Sequence, residues 1–511
     1  MRRSWWYRLT HFDPGLRELR AMTVAMVAVL ATYGSALLVE HAADLRVDVV
    51  IQAVVLAMTM ARTLRGADYW NLGLAFVVVP AVAAGTNELN SLFASDHVTA
   101  DIVFVAVVAL SIGIRRFGAR ATKIGSLTVL PLVSILVMQG PFARPGGDDH
   151  SLWVALFALI ACCWVALTLV VAGLLGFVEP VRAVPWRSDT PAVKSVSRIP
   201  ASTRMALQMS AALTAAFVIG RVFYADHWTW VVLTAFIVCS GARGRGDVVH
   251  KGLLRALGAA LGTVVATGIA GLMGRNDPMS IVIIFAVLAL ATWLRTQSYA
   301  YWAACVTSVL SLLYGYYGET GTDLLQTRLI EILIGSALGI AASWLILPVK
   351  TNQVVRRRVA DALERLSQFL GSPDWCEPEE LARRQARFDK SVGLVRQLAG
   401  PLEAIRRLRG KAGHADAIDA VRQCVRPVRV LVTCLEAHPE LRTDPELTEL
   451  RALVSANVTA IRRAIGRQPG PAYSPVETAG RSKAVSSLVD IDAALGELAQ
   501  VFVPVREPVP S

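Results

Sequence analysis

Twelve runs of apolar residues, almost free of charge, divide the first 347 residues of this chain. They lie at 21–40, 49–61, 69–85, 98–114, 124–140 and 151–178, then at 205–223, 228–240, 252–273, 279–295, 299–317 and 328–347. None shows the in-out alternation of a membrane barrel strand, so each is read as a helix whose backbone satisfies itself in lipid. The chain is 54% hydrophobic and only 18% charged, with a mean hydropathy of +0.49. That balance excludes a wholly soluble protein and a disordered one. The expected fold is all-α: a polytopic membrane protein of twelve transmembrane helices in two six-helix repeats, followed by a cytoplasmic helical domain.

The net charge of +12 is consistent with nucleic acid or a membrane surface. Its distribution decides against nucleic acid. Alternate connections hold 21 Lys and Arg, and the opposite connections hold 5. Such a bias is the positive-inside signature, and it puts both termini in the cytoplasm. The first run, about 19 residues ending in Glu40-His41, is too long for a signal-peptide core and is read as a retained span. The expected divisions are a cytoplasmic segment 1–20, a first membrane repeat 21–180, a linker 181–204, a second repeat 205–348 and a helical bundle 349–511. In the bundle, Val355, Val359, Leu363, Leu366 and Leu370 recur at helical spacing.

The two halves look like copies. Ala106 to Leu110 precedes Arg115 as Ala286 to Leu290 precedes Arg295, and Arg62-x-x-Arg65-Gly66 matches Arg243-x-Arg245-Gly246. A constant offset of about 180 residues with six spans per half places the symmetry axis along the membrane normal. Arg115 is expected over Arg295, and Arg62 near Arg243. The second and eighth runs hold only about 13 residues, which is roughly 20 Å of a ~30 Å core. Paired short segments point to a transport site. Snorkelling arginines hiding ordinary helix ends would look the same.

The candidate substrate path is therefore basic: Arg62, Arg65, Arg243 and Arg245, with Lys251 and Arg255 completing the cluster and Trp228 as a stacking residue. The same cations also serve as topology determinants. Candidates for proton coupling are Glu331 with Arg328, three apart on one helix face, and Asp226 with His227. An ion pair near the outer interface is the plainer reading of the first two. Trp228, Trp230, Trp293, Trp302 and Trp344 fall near span ends, as aromatic-belt residues do. Gly258-x-x-x-Gly262 and Gly335-x-x-x-Gly339 are helix-packing faces. The seven cysteines contain no C-x-x-C pair and read as small buried hydrophobes. No phosphate-binding loop, catalytic constellation or metal-ligand spacing occurs. No enzyme, cofactor or metal is expected.

His227-Trp228, the run Trp230 to Ala235, Gly241-Ala242-Arg243-Gly244, Arg255-Ala256-Leu257-Gly258 and Gly262-Thr263 resemble the repeat signature of the fusaric acid resistance (FUSC) or aromatic acid exporter family. Arg328-x-x-Glu331-x-x-x-Gly335-x-x-x-Gly339, ending at Pro348, resembles that family's closing helix. Asp13-Pro14-Gly15 resembles its N-terminal approach. The first half departs most: Val47-Asp48 stand in place of an aromatic pair, and its sixth span lacks Arg-x-x-Glu. The resemblance implies an exporter of aromatic carboxylic acids and related toxic organic anions in a bacterial inner membrane. It also implies kinship with plant anion channels that are dimers of six-span units, an arrangement that a fused twelve-span chain could imitate within one molecule; a homo-oligomer stays open. Its partners would be the organic anion and membrane lipid. A passive anion channel and a non-transporting envelope-assembly protein are the alternatives.

Overall fold

The computed structural model describes residues 13, 16–43, 47–138, 151–179, 181, 200–225, 227–241, 244–270, 277–316, 322–348, 351–371, 375, 377–400, 402–403, 406, 413–477 and 482–502. Among them the chain is helical and holds no strand. Helices occupy all twelve apolar runs: α1 Arg17–Ala43, α2 Val47–Thr63, α3 Tyr69–Ser95, α4 His97–Gly113, α5 Ala119–Met138 and α6 Ser151–Leu174, then α7 Ala201–Phe223, α8 Trp228–Cys239, α9 Arg245–Ala270, α10 Pro278–Leu294, α11 Tyr299–Tyr316 and α12 Thr322–Leu345. Two compact units divide the chain. One is Met1–Ala242 with Lys251–Leu347, and the other is Arg243–His250 with Pro348–Ser511.

Among the described residues eight helices are long and apolar enough to cross a membrane, with 28% to 44% of their apolar stretches buried. The remainder faces outward as exposed Leu38, Val77, Ile102, Leu110, Leu174 and Val264. An apolar belt of this kind is insoluble in water and at home in lipid. This is a multi-pass membrane protein.

Small residues let the helices close up. A Cβ on Gly335 of α12 would lie 2.5 Å from the Val231 carbonyl oxygen of α8. A Cβ on Gly258 of α9 would lie 2.5 Å from the Ala300 carbonyl oxygen of α11. At Gly262 it would run into the Ala304 carbonyl, and there Ser308 Oγ donates to the Gly262 carbonyl at 3.0 Å. Both Gly-x-x-x-Gly stripes thus serve close backbone approach. Gly335→Leu should stop α12 from seating on α8 and abolish the monodisperse peak on detergent size-exclusion, while Gly268→Leu, where a Cβ meets open space, should leave it intact.

α1, α2 and α6 form a mutually contacting trio, and so do α7, α8 and α12. Across the halves α4 packs on α7, and α10 packs on α1. Arg221 ties the first of these contacts. Its Nε donates to Asp101 Oδ2 at 2.8 Å and its Nη2 to Oδ1 at 2.7 Å.

The second apolar run forms a longer helix than its hydrophobicity marks. α2 has 17 residues, roughly 26 Å, because Val47, Asp48, Arg62 and Thr63 carry the backbone ladder beyond the apolar stretch. α8 stays short at 12 residues, roughly 18 Å. The two end alike. Lys123 Nζ donates to the Thr63 carbonyl at 2.8 Å, and Lys251 Nζ donates to the Ser240 carbonyl at 2.6 Å. A cation there answers the negative end of the helix dipole. Gly66 and Gly241 follow, both at φ 68°, a left-handed turn that a side chain would strain.

The second unit is a helical bundle: α13 Thr351–Leu370, α14 Pro378–Arg396, α15 His414–Gln423, α16 Val425–Ala437, α17 Pro445–Ile465 and α18 Lys483–Phe502. Val355, Val359, Leu363, Leu366 and Leu370 are all buried in its core. One polar network crosses that core. Asn457 Nδ2 donates to Asp492 Oδ1 at 2.8 Å, and Tyr473 donates its hydroxyl to Asp492 Oδ2 at 3.1 Å. Burial and the adjacent carboxylate push the Tyr473 phenol up to about 12. Of the cysteines, Cys162, Cys305 and Cys424 are buried, Cys239 and Cys434 are half-buried, and Cys163 is exposed. Cys163 corrects the expectation of uniform burial, because it points off the outer face of α6. Cys376 lies outside the described residues.

Candidate functional site

A cavity of about 650 Å³ opens between the two halves of the membrane unit. It lies where α2, α4, α8 and α10 end and α11 begins. The first half contributes Arg62, Arg65 and Arg115 to its wall, and the second contributes Lys251 and Arg295. Deeper in, the lining turns apolar, with Met58, Leu130, Val133, Met209 and Phe236. Volume and lining suit a small organic molecule with an anionic end. Arg115 and Arg295, matched by spacing in the sequence, share this one cavity.

The cations are held differently. Arg65 is committed to Glu18 through Nη1–Oε2 at 2.7 Å and Nη2–Oε1 at 3.3 Å. Arg295 stacks over Trp302 at 4.1 Å, and Lys251 stands 5.5 Å over the Tyr299 ring. Arg62, on the last turn of α2, is exposed into the cavity. Trp302 and Tyr299 line the same wall. The sequence signal for Arg115, Arg295 and Trp302 was present, yet it read as repeat spacing and as an aromatic belt.

Other expected residues fall elsewhere. Trp228 does not line the cavity. It is buried against Phe93 and Phe217, with Arg221 stacked over it at 4.1 Å. Arg245 opens α9 and is half-buried. Arg243 and Asp226 lie outside the described residues. His227 is half-buried at the start of α8, where its backbone N–H donates to the Tyr224 carbonyl at 3.0 Å. Trp230 is buried, which removes it from any aromatic belt, whereas Trp344 is exposed.

Arg328 and Glu331 lie at the opposite end of the bundle, where α8 and α12 begin and α11 ends. Both are buried, at 3% and 0% exposure. No hydrogen bond joins them: the three guanidinium nitrogens and both carboxylate oxygens are unpartnered among the described residues. They are within electrostatic reach of each other but share no hydrogen bond. Arg328 instead stacks over Trp230 at 3.9 Å and over Tyr314 at 5.2 Å. Arg255, at 1% exposure, is a second buried cation.

Fold and cavity together define a polytopic helical membrane protein with a basic vestibule between its two halves. Residues 214–342, which run from α7 to α12, match the family model described as fusaric acid resistance protein-like. The resemblance read from the residues is thereby borne out over that stretch. A curated relative, the p-hydroxybenzoic acid efflux pump subunit AaeB of Enterobacter cloacae subsp. cloacae, is 30% identical over 173 residues, which covers 31% of this chain and 26% of the relative. The chain thus spans about a quarter of the length of the curated relative it matches.

Proposed function

We propose that this chain is a secondary transporter of the bacterial inner membrane that exports organic anions, aromatic carboxylic acids foremost, under the proton or charge gradient. The vestibule carries the reading. Cations from both halves converge on a cavity whose floor is apolar, and an aromatic carboxylate has that same division into charged head and apolar ring. In a low-dielectric setting fixed charge of this kind concentrates anions. The relative is named for efflux of p-hydroxybenzoic acid, which agrees in substrate class.

The membrane unit is two six-span repeats related about the membrane normal, as the reciprocal α4–α7 and α10–α1 contacts suggest. The basic loops, and so the mouth of the vestibule and both termini, face the cytoplasm. The bundle 349–511 is cytoplasmic. Arg62, Arg65, Arg115, Lys251 and Arg295 form the anion-receiving mouth. Glu331 is the proton carrier, since an unpaired intramembrane carboxylate is a functional group by default.

Whole cells test this reading. Expression should lower the steady-state accumulation of radiolabelled benzoate, and a protonophore should erase the difference. Ohmic benzoate currents in planar bilayers with no effect of a pH gradient would favour the passive channel instead. No flux of any anion would leave an assembly role.

A further inference from the structure

The vestibule leaves Arg328 unexplained. This guanidinium is 3% exposed, and Nε, Nη1 and Nη2 all lack a hydrogen-bond partner among the described residues. Two adjoining rings cover it, with Trp230 at 3.9 Å and Tyr314 at 5.2 Å from its carbon and their own centroids 6.3 Å apart. Stacking engages the flat of a guanidinium, while its N–H donors radiate from the edge. Five donors with no acceptor in a dry interior are strongly unfavourable. Glu331, one turn further along α12, does not supply the acceptor, for its own oxygens are equally unpartnered.

The surroundings are built in the same sense. Thr234 lies one turn from Trp230 on the same face of α8, and Thr307 lies two turns from Tyr314 on the same face of α11. Both hydroxyls are buried and without a partner. A line of positive charge leads here from the vestibule. Tyr299, in the vestibule wall, is within electrostatic reach of both Arg62 and Arg255. Arg255 is in turn within reach of Arg328.

We infer that Arg328, walled by Trp230 and Tyr314, is a second and occluded binding site for an aromatic carboxylate, at the far end of a path that starts in the vestibule. The carboxylate takes the guanidinium edge in a two-bonded fork. The ligand ring joins the Trp230 and Tyr314 rings, and Thr234 and Thr307 accommodate a polar ring substituent. This site rests on the export reading for its ligand class, and its test can fail independently.

Binding of radiolabelled benzoate to the full chain in lipid nanodiscs reads the site. The wild type should bind benzoate, and benzamide should not displace it. Arg328→Gln should weaken binding roughly 10- to 100-fold, and Arg328→Lys should recover part of the loss. Photolabelling of the wild type with 4-azidobenzoate needs no variant to fold. It should mark residues around Trp230 and Tyr314. Labels confined to vestibule residues such as Met58 and Trp302, unchanged affinity in Arg328→Gln, displacement by chloride as readily as by benzoate, or no benzoate binding by the wild type would each overturn the site. Flux separates the two claims. Wild-type proteoliposomes that move no organic anion reject export alone, whereas normal export by Arg328→Gln rejects this site alone.

Discussion

Arg62→Ala should lower the apparent affinity for an exported aromatic acid by roughly 10- to 150-fold, the loss of one charge-assisted hydrogen bond of about 1.5–3 kcal/mol. Arg116→Ala should leave it near the wild-type value. The two arginines belong to basic turns at the same end of the bundle, and both are exposed. Arg62 lines the cavity between the halves. Arg116 stands outside it, over the Phe117 ring at 4.6 Å. A pure topology role would make the pair equivalent, because positive-inside orientation counts charges and ignores where they point. Arg62→Lys should recover part of the loss, since it keeps the charge but not the guanidinium fork. Arg65→Ala should act more weakly than Arg62→Ala, because Glu18 already occupies the Arg65 guanidinium. Initial export rates over a concentration series, in inside-out vesicles, separate these outcomes.

The second large effect belongs to Glu331. Glu331→Gln should abolish the response of export to an imposed pH gradient while preserving expression and thermal stability. The carboxylate is fully buried with both oxygens unpartnered, so glutamine removes its charge and its proton without breaking a hydrogen bond. A structural ion pair with Arg328 would predict the reverse, an unstable protein with unaltered coupling. Export by the Glu331→Gln variant that still follows the pH gradient would end the coupling role.

Some of this architecture is written in local chemistry and some is not. Apolar runs announce helices because lipid demands self-satisfied backbones. The stripe from Val355 to Leu370 announces a buried face because its spacing matches the helix period. Gly335 and Gly262 announce close packing because a missing side chain has few other uses inside an apolar helix. The extent of α2 was not legible, for its end is set by Lys123 reaching in from α5. Nor was the fate of the tryptophans. Trp228, Trp230 and Trp302 sit near span ends in sequence, yet one is core, one stacks on Arg328, and one lines the vestibule. Sequence spacing gives a residue's height in the membrane, and only tertiary packing gives its direction. For the same reason Arg328 and Glu331 read as a bonded pair at three-residue spacing, while in the fold no hydrogen bond joins them.

Everything above turns on transport of an aromatic carboxylate through the membrane unit. Its most direct test is purified full-length protein in proteoliposomes loaded with radiolabelled p-hydroxybenzoate, with and without an imposed proton gradient. The expected result is protein-dependent flux of the carboxylate that the gradient accelerates, that benzoate inhibits, and that benzamide leaves untouched. Flux no faster than in protein-free liposomes, with or without the gradient, would contradict it.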